Sequence, residues 1–324
     1  MRAAYYERNG PARDVLNISE IETPRPGPGE VRIKLATSGV NPSDVKSRAG
    51  LTRKIAFPRV IPHSDGAGVI DMVGDGVSAA RIGERVWTWN AQWKRPFGTC
   101  AEHVVLPAAM AVRLPNHVGF AEGACLGIPA MTACHAVAVA EAWAGSTLLI
   151  SGGAGAVASY AIQFAKARGA VVITTVSSDE KAKLATKAGA DHVIDYKREN
   201  VGERVMELTE KAGVDAMIEL DLAANAKLVP AVLSPRGGVV VYGTGPEAQI
   251  PAQWLLVNAI TLKFIFVYEL TREEREAALS AITRMLEEKR LINTVALTVS
   301  LDDIVAAHEA VEQGKAIGNV VVQI

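Results

Sequence analysis

The apolar positions of this chain change rhythm twice. From residue 1 to about 115 they fall in short alternating runs, at 30–36, 66–74 and 84–89, punctuated by glycine, proline and charged residues. Alternation with a period of two buries one face of a strand and wets the other, so this stretch predicts an antiparallel, β-rich domain. From about 120 to 268, continuous apolar runs alternate with helical patterns instead. Strands are expected at 147–151, 171–176, 192–195, 215–220, 238–242 and 261–267, with helices between most of them. Such βα repetition requires right-handed crossovers and predicts an α/β domain with a doubly wound parallel sheet. Thr271 followed by Glu274 reads as a capping box that opens a long charged helix running to about Lys289, and 319–324 reads as a last short strand.

The sharpest local signal is Leu148-Leu149-Ile150-Ser151-Gly152-Gly153-Ala154-Gly155-Ala156-Val157-Ala158, where a buried-strand run meets a glycine turn and then a helix. The spacing Gly153-x-Gly155-x-x-Ala158 fits the elbow of a dinucleotide-binding domain. Gly153 would allow the tight turn, Gly155 the close approach of a pyrophosphate, and Ala158 a helix packed near its strand. The free N–H groups at the start of this helix, around Ala154, Ala156 and Val157, would face the phosphates. Three small residues between a strand and a helix also make an ordinary βα turn. The second apolar run, Val171–Val176, shifts the balance, because it begins at the distance a βαβ unit requires. Tyr242-Gly243-Thr244-Gly245 follows another strand at its carboxyl end, where α/β sheets bind ligands, and would line the bound dinucleotide; a plain glycine turn is the alternative.

Composition narrows the chemistry. The 324 residues are 49% hydrophobic, enough for a large core and for two domains. A formal net charge of -1 and the lack of any lysine or arginine block argue against nucleic acid or an anionic membrane as partner, and for small-molecule chemistry. Arg2, Glu7 and Arg8 interrupt any secretory core, so a cytoplasmic protein is expected. The uncharged stretch 123–140 is broken by Gly123, Gly127 and Pro129, which predicts two buried helices separated near Pro129 rather than a membrane span. Cys100, Cys125 and Cys134 are odd in number and lack Cys-x-x-Cys spacing, which suits reduced thiols packed as small apolar residues and offers no zinc framework. After the strand ending at Val176 come Ser177 and Ser178, with no carboxylate until Asp179 and Glu180, so a ribose 2′-phosphate would meet no acid at the strand end.

Several segments together carry a resemblance over essentially the whole chain. They are Ser38-Gly39-Val40-Asn41-Pro42-Ser43-Asp44, then Asp65-Gly66-Ala67-Gly68-Val69-Ile70, Val73-Gly74-Asp75-Gly76-Val77 and Gly83-Glu84-Arg85-Val86, then Gly127-Ile128-Pro129-Ala130-Met131-Thr132-Ala133, and the glycine elbow. On these the chain resembles the zinc-free medium-chain dehydrogenase/reductases, and among them the zeta-crystallin-like quinone oxidoreductases. The resemblance implies a GroES-like domain over 1–122 and 269–324, into which a Rossmann domain over 123–268 is inserted, with the active site in the cleft between them. It implies NADPH-dependent reduction of a quinone. An enone or alkenal double-bond reductase and a catalytically quiet, crystallin-like NADPH-binding protein are the alternatives. Zinc-dependent relatives place ligands where this chain has Asn41, Ser64 and about Ile128, and none of these supplies a usable donor. The apolar run 262–268, as the last strand of its sheet, would leave an open edge that a symmetry mate would cover, so a homodimer is expected.

By the same correspondence Ser177, Ser178, Lys181 and Tyr196 fall where related enzymes hold the 2′-phosphate, and Thr132 and Asn319 join the cofactor contacts. A solvated Lys181, a half-buried Tyr196 and a Thr132 bonded to its own helix remain open. The substrate side is Asn41, Asp44 and Lys46. Asn41 could donate to a carbonyl oxygen as negative charge develops, Asp44 would fix its turn, and Lys46 stands where quinone reductases often have tyrosine. His63 is either an acid or a solvated loop histidine. Trp87, Trp89 and Trp93 could wall a planar ring or pack in a core.

Overall fold

In the computed structural model, which describes residues 1–324, the alternating runs of the first third become part of a seven-stranded sheet. Its order is Val295–Ser300, Asn319–Gln323, Glu30–Val40, Asp65–Val73, Arg85–Thr88 and Ala111–Arg113, with His103–Pro107 also on Glu30–Val40. Glu30–Val40 extends past its expected end at 36 because it serves three partners. Its first half pairs with His103–Pro107, its last residues with Asn319–Gln323, and nearly all of it with Asp65–Val73. Two register shifts against Asp65–Val73, between Arg32 and Ile33 and between Leu35 and Thr37, mark bulges that let one strand change neighbours. Alternation then buries Val31, Ile33 and Leu35 against Ile70, Val86, Val104 and Leu106. At the other end Val40, Val45 and Ile61 pack with Leu301, Ile304, Val320 and Val322, so the last strand returns to the first domain as expected.

The second unit holds six parallel strands in the order His192–Asp195, Val171–Val176, Thr147–Ile150, Val214–Glu219, Leu233–Val241, Thr261–Phe264. This is the doubly wound α/β arrangement the sequence predicts. The chain order reverses between Thr147–Ile150 and Val214–Glu219, and the carboxyl ends of those strands therefore flank a crevice. Leu233–Val241 starts five residues before the expected 238. Ser234-Pro235-Arg236-Gly237-Gly238 reads as a turn but is a bulge: the ladder passes from Leu233 opposite Val214 to Gly238 opposite Ala216, and Arg236 takes φ 66°. Thr261–Phe264 stops short of 267, since Val267–Glu269 turns as a 3₁₀ helix.

The two units are Met1–Pro129 with Asn293–Ile324, and Ala130–Ile292. These bounds differ from the expected breaks after 122 and 268. The helix Arg272–Glu287, capped by Thr271 and Glu274 as predicted, buries Ala278, Ile282, Met285 and Leu286 and packs on the helix Met131–Val139 of the second unit. Gln163 then holds the chain beyond it, donating to Ile292 O at 3.0 Å and accepting from Ile292 N at 2.7 Å. The stretch 123–140 forms not two plain helices but the end of a single turn, Phe120–Gly123, a π-helical turn over Leu126–Ala130 and the helix Met131–Val139. Pro129, with no N–H to donate, sits inside the widened turn. No helix is long and apolar enough to cross a membrane.

Candidate active site

The elbow forms at the carboxyl end of Thr147–Ile150, beside the crevice. Gly152 takes φ 71°, a left-handed conformation that favours glycine, so the tight turn falls one residue before the expected Gly153. Gly153 serves packing instead: an ideal Cβ there would lie 2.3 Å from Thr174 Oγ1 on the next strand. Ala154 is buried in the turn. Gly155 is the N-cap of the helix Ala156–Ala167 and brings no side-chain cap, so the N–H groups of Ala156, Val157 and Ala158 have no acceptor within the chain. Free amides at the positive end of a twelve-residue helix are what a pyrophosphate requires. Glu219, missed by sequence reasoning, is fully buried and ties the two strands that flank the crevice. It accepts from Ser151 Oγ at 2.6 Å, Asp221 N at 2.6 Å and Asn225 Nδ2 at 2.9 Å. Nothing in the strand pattern distinguished it from a solvated strand end.

The next strand end brings together the residues expected at a 2′-phosphate. Lys181 Nζ donates to Ser177 Oγ at 3.0 Å, and Ser178 Oγ caps the helix Asp179–Lys187 by accepting from Lys181 N. Tyr196 N donates to Val176 O at 3.1 Å, which brings Tyr196 to the same strand end, where its side chain is exposed. Asp179 is drawn away into an ion pair with Arg198 at 2.8 Å. A phosphate here would therefore meet a hydroxyl and an ammonium and no unpaired strand-end carboxylate. After Leu233–Val241, Gly243 can be nothing larger, because an ideal Cβ would lie 2.1 Å from Leu220 O. Tyr242 is partly buried, which raises its hydroxyl, and Thr244 is exposed. Thr132 is buried in the helix Met131–Val139. Asn319 lies in the first unit, where its N–H and its side-chain amide both donate to Thr294 O, at 2.9 and 3.0 Å.

In the first unit the substrate-side residues surround two buried carboxylates. Asn41 N donates to Asp44 Oδ2 at 2.8 Å and closes the first turn of the helix Pro42–Ala49. Asn41 Nδ2 donates to Asp65 Oδ2 at 2.7 Å, and Ile128 N donates to both Asp65 oxygens at 2.9 Å. Gly127 leaves room for this carboxylate, since an ideal Cβ would lie 2.1 Å from Asp65 Oδ1. The positions at which zinc-dependent relatives carry ligands thus pack around Asp65, and no group of three or more His, Cys, Asp or Glu side chains converges. Burial pushes Asp44 up to about 7 against the lowering effect of its bonds from Asn41 and Ser64 and of Arg53, and holds Asp65 well above the usual carboxylate range. Asn41 directs an amide N–H at Asp65, because a buried carboxylate needs donors. Lys46, two residues beyond Asp44 on a helix, is exposed and stands apart from this cluster.

His63 is neither solvated nor alone; it is fully buried at φ 78° and stacks on His308. The hydrogen bonds fix every proton. Thr99 Oγ1 donates to Asp65 O at 2.6 Å, so it accepts from Ser38 Oγ at 2.7 Å. Ser38 Oγ must then accept from His63 Nδ1 at 2.8 Å, and His63 Nε2 from His308 Nε2 at 3.0 Å. His308 Nδ1 is left bare and buried without a partner. Burial holds both rings neutral, His63 down to about 3 and His308 well below its ordinary value. Trp87 and Trp89 are core residues, whereas Trp93 is half-buried under Arg53 and Lys94. The three cysteines are buried free thiols, packed as expected.

Comparison with known proteins agrees with this arrangement. The description "alcohol dehydrogenase GroES-like domain" matches residues 27–116, and "zinc-binding dehydrogenase" matches 156–284. The quinone oxidoreductase of Rattus norvegicus is 32% identical over 307 residues, covering 94% of this chain and 91% of that protein. A mycobacterial protein solved in complex with NADPH shares 30% identity at a TM-score of 0.90, with 100% of each chain covered. A quinone oxidoreductase of Pseudomonas syringae shares 27% at 0.88, covering 100% of this chain and 99% of that one. With a GroES-like unit, a doubly wound parallel sheet and this degree of identity over nearly its whole length, the chain belongs to the medium-chain dehydrogenase/reductase superfamily, in the family of the quinone oxidoreductases.

Proposed function

We propose that the protein uses NADPH to reduce a quinone, hydride and one proton giving the hydroquinone and NADP⁺. The observation that carries this reading is the carboxyl edge of the parallel sheet. An uncapped helix N-terminus stands there beside a strand end where Lys181 donates to Ser177 and the first acid, Asp179, is paired with Arg198. The bound nicotinamide supplies the hydride. Gly153, Ala154 and Gly155 shape the turn, and the amides of Ala156, Val157 and Ala158 would hold the pyrophosphate. Lys181, Ser177, Ser178 and Tyr196 would hold the 2′-phosphate as a point-charge and hydroxyl cradle. Thr132, Asn319 and the turn at Tyr242, Gly243 and Thr244 complete the cofactor contacts in this reading.

On the substrate side Asn41 acts by positioning: it holds the Asp44 turn to Asp65. The reaction is zinc-free, because the relatives' ligand positions here hold Asn41, Ser64 and Ile128 around a buried carboxylate. An enone acceptor would require a proton delivered to carbon, and the two carboxyls that burial raises are both enclosed, Asp44 by Asn41 and Ser64 and Asp65 by Asn41 and Ile128. A quinone needs no such donor. Buried reduced thiols suit the cytoplasm, and the open sheet edge suits a homodimer.

The decisive measurement is NADPH oxidation against a panel of quinones, enones and aldehydes, with and without a chelator. Quinones should be reduced fastest and the chelator should leave the rate unchanged. NADPH binding with no turnover of any acceptor would make this a quiet binding protein, and turnover of enones alone would make it a double-bond reductase.

A further inference from the structure

Between Val45 and Ser64 the chain carries five cations, Lys46, Arg48, Arg53, Lys54 and Arg59, and no Asp or Glu. Arg48 is buried in an ion pair with Glu312, and Arg59 pairs with Glu7. Arg53 makes no ion pair, yet it is held firmly. Its Nη2 donates to Gln92 Oε1, and its guanidinium lies 5.0 Å from the centroid of the Trp93 ring. Gln92 is itself buried and anchored, donating from Nε2 to Arg95 O at 2.8 Å. This clamp adjoins the substrate-side residues. Ala91 N, next to Gln92, donates to Ser64 O at 3.0 Å, and the backbone of Ser64 in turn bonds Asp44, on which the charge of Arg53 acts. Lys94 lies over the same indole, 5.5 Å from its centroid.

A half-buried guanidinium already immobilised by a hydrogen bond and a ring loses little freedom when it binds an anion. Its remaining N–H donors match the flat, bidentate geometry of a carboxylate or sulfonate. A neutral quinone has no use for such a group. We propose that Arg53 is a specificity-determining residue, and that the preferred acceptor carries a carboxylate or sulfonate beside its conjugated carbonyl. The proposal rests on the quinone reductase reading. The two-electron step is the one already described, and the anionic group passes through it unchanged.

Initial rates of NADPH oxidation with 1,4-naphthoquinone-2-sulfonate and with neutral 2-methyl-1,4-naphthoquinone, on wild type, Arg53→Gln and Arg53→Lys, test it. Arg53→Gln should raise KM for the sulfonate roughly tenfold or more, as expected for a lost hydrogen bond to a charged group, with kcat and the neutral quinone little changed. Arg53→Lys should recover part of the loss, and added salt should narrow the wild-type preference. Equal losses on both quinones would make Arg53 structural, and a matching rise in the Kd of NADPH would assign it to the cofactor; either overturns the proposal. If wild type reduces neither quinone, the quinone reductase reading fails by itself. Calorimetric titration with naphthalene-2-sulfonate then judges Arg53 separately, with binding at least about tenfold weaker in Arg53→Gln supporting it and equal binding refuting it.

Discussion

Two pairs of buried titratable groups act in opposite directions within the first unit. His63 and His308 are neutral in the folded chain and ordinarily titrate near 6.5, so below that pH the unfolded chain takes up protons the folded chain refuses. Their contribution to stability is complete above about 6.5 and is lost as pH falls, toward about 3 for His63. Asp44, raised from 3.8 to about 7, has the reverse sign: the folded chain keeps a proton the unfolded chain releases, so stability declines as pH rises between those values. Asp65 is raised likewise. Across about pH 4 to 6.5 the slopes offset each other. Asp44→Asn removes one slope, and urea unfolding should then show stability falling about 1.4 kcal/mol more per unit of acidification than in wild type. Equal slopes would show that Asp44 holds no proton in that range. At the cofactor, Lys181→Ala should weaken NADPH and spare NADH, since only the phosphate loses its partner. Ser177→Asp, which sets a carboxylate against that phosphate, should narrow or invert the preference for NADPH. Fluorescence titration of both nucleotides reads this, and a Lys181→Ala loss shared by the two would move the phosphate site elsewhere.

At the scale of elements, the elbow depends on one contact between neighbouring strands. Thr174 Oγ1 donates to Ile150 O at 2.6 Å and fills the space a side chain at Gly153 would need. Gly153→Ala should cost about 1–3 kcal/mol of stability in urea unfolding as an overpacked site. The cost should shrink on a Thr174→Ala background, and strict additivity would place the strain elsewhere. Legibility followed the range of the interactions. The strands Val171–Val176 and His192–Asp195 and the cap at Thr271 were readable because their signals lie within a few neighbouring residues. So was the grouping of Ser177 and Lys181, one helical turn apart at a strand end. The bulge in Leu233–Val241 was hidden by residues that also spell a turn. The helix Arg272–Glu287 could be seen, but the expected bounds set it with residues 269–324 of the first domain, since its partner, Met131–Val139, is distant in sequence. The same holds for the site: Asn41 reaches an Asp65 24 residues away, and His63 a His308 245 residues away. No local pattern announces either pairing.

At the scale of the whole molecule, the unpaired edge of the parallel sheet sets the last expectation. Thr261–Phe264 ends the strand order and is hydrogen-bonded on one side only, to Leu233–Val241. Around it Phe264 is 58% exposed, Phe266 53%, and Leu256 and Val257 of the helix Ala252–Val257 79% and 72%. Single exposed apolar residues are ordinary, but four large ones beside an open strand make an apolar patch of the kind that marks interfaces. A second copy related by a two-fold axis would present the same edge and the same apolar side chains, so both strands would gain partners at once. A stable pair needs roughly 800 Å² buried on each side, more than one short strand provides, which makes the neighbouring helix part of the interface in this reading. Sedimentation at micromolar concentration should therefore find a dimer. Phe264→Asp combined with Phe266→Asp should shift it to monomer, because each charge would face its own copy across the axis, while NADPH affinity stays within about twofold since the elbow lies at another strand. A wild-type monomer, or a dimer indifferent to both aspartates, would remove this edge from the assembly.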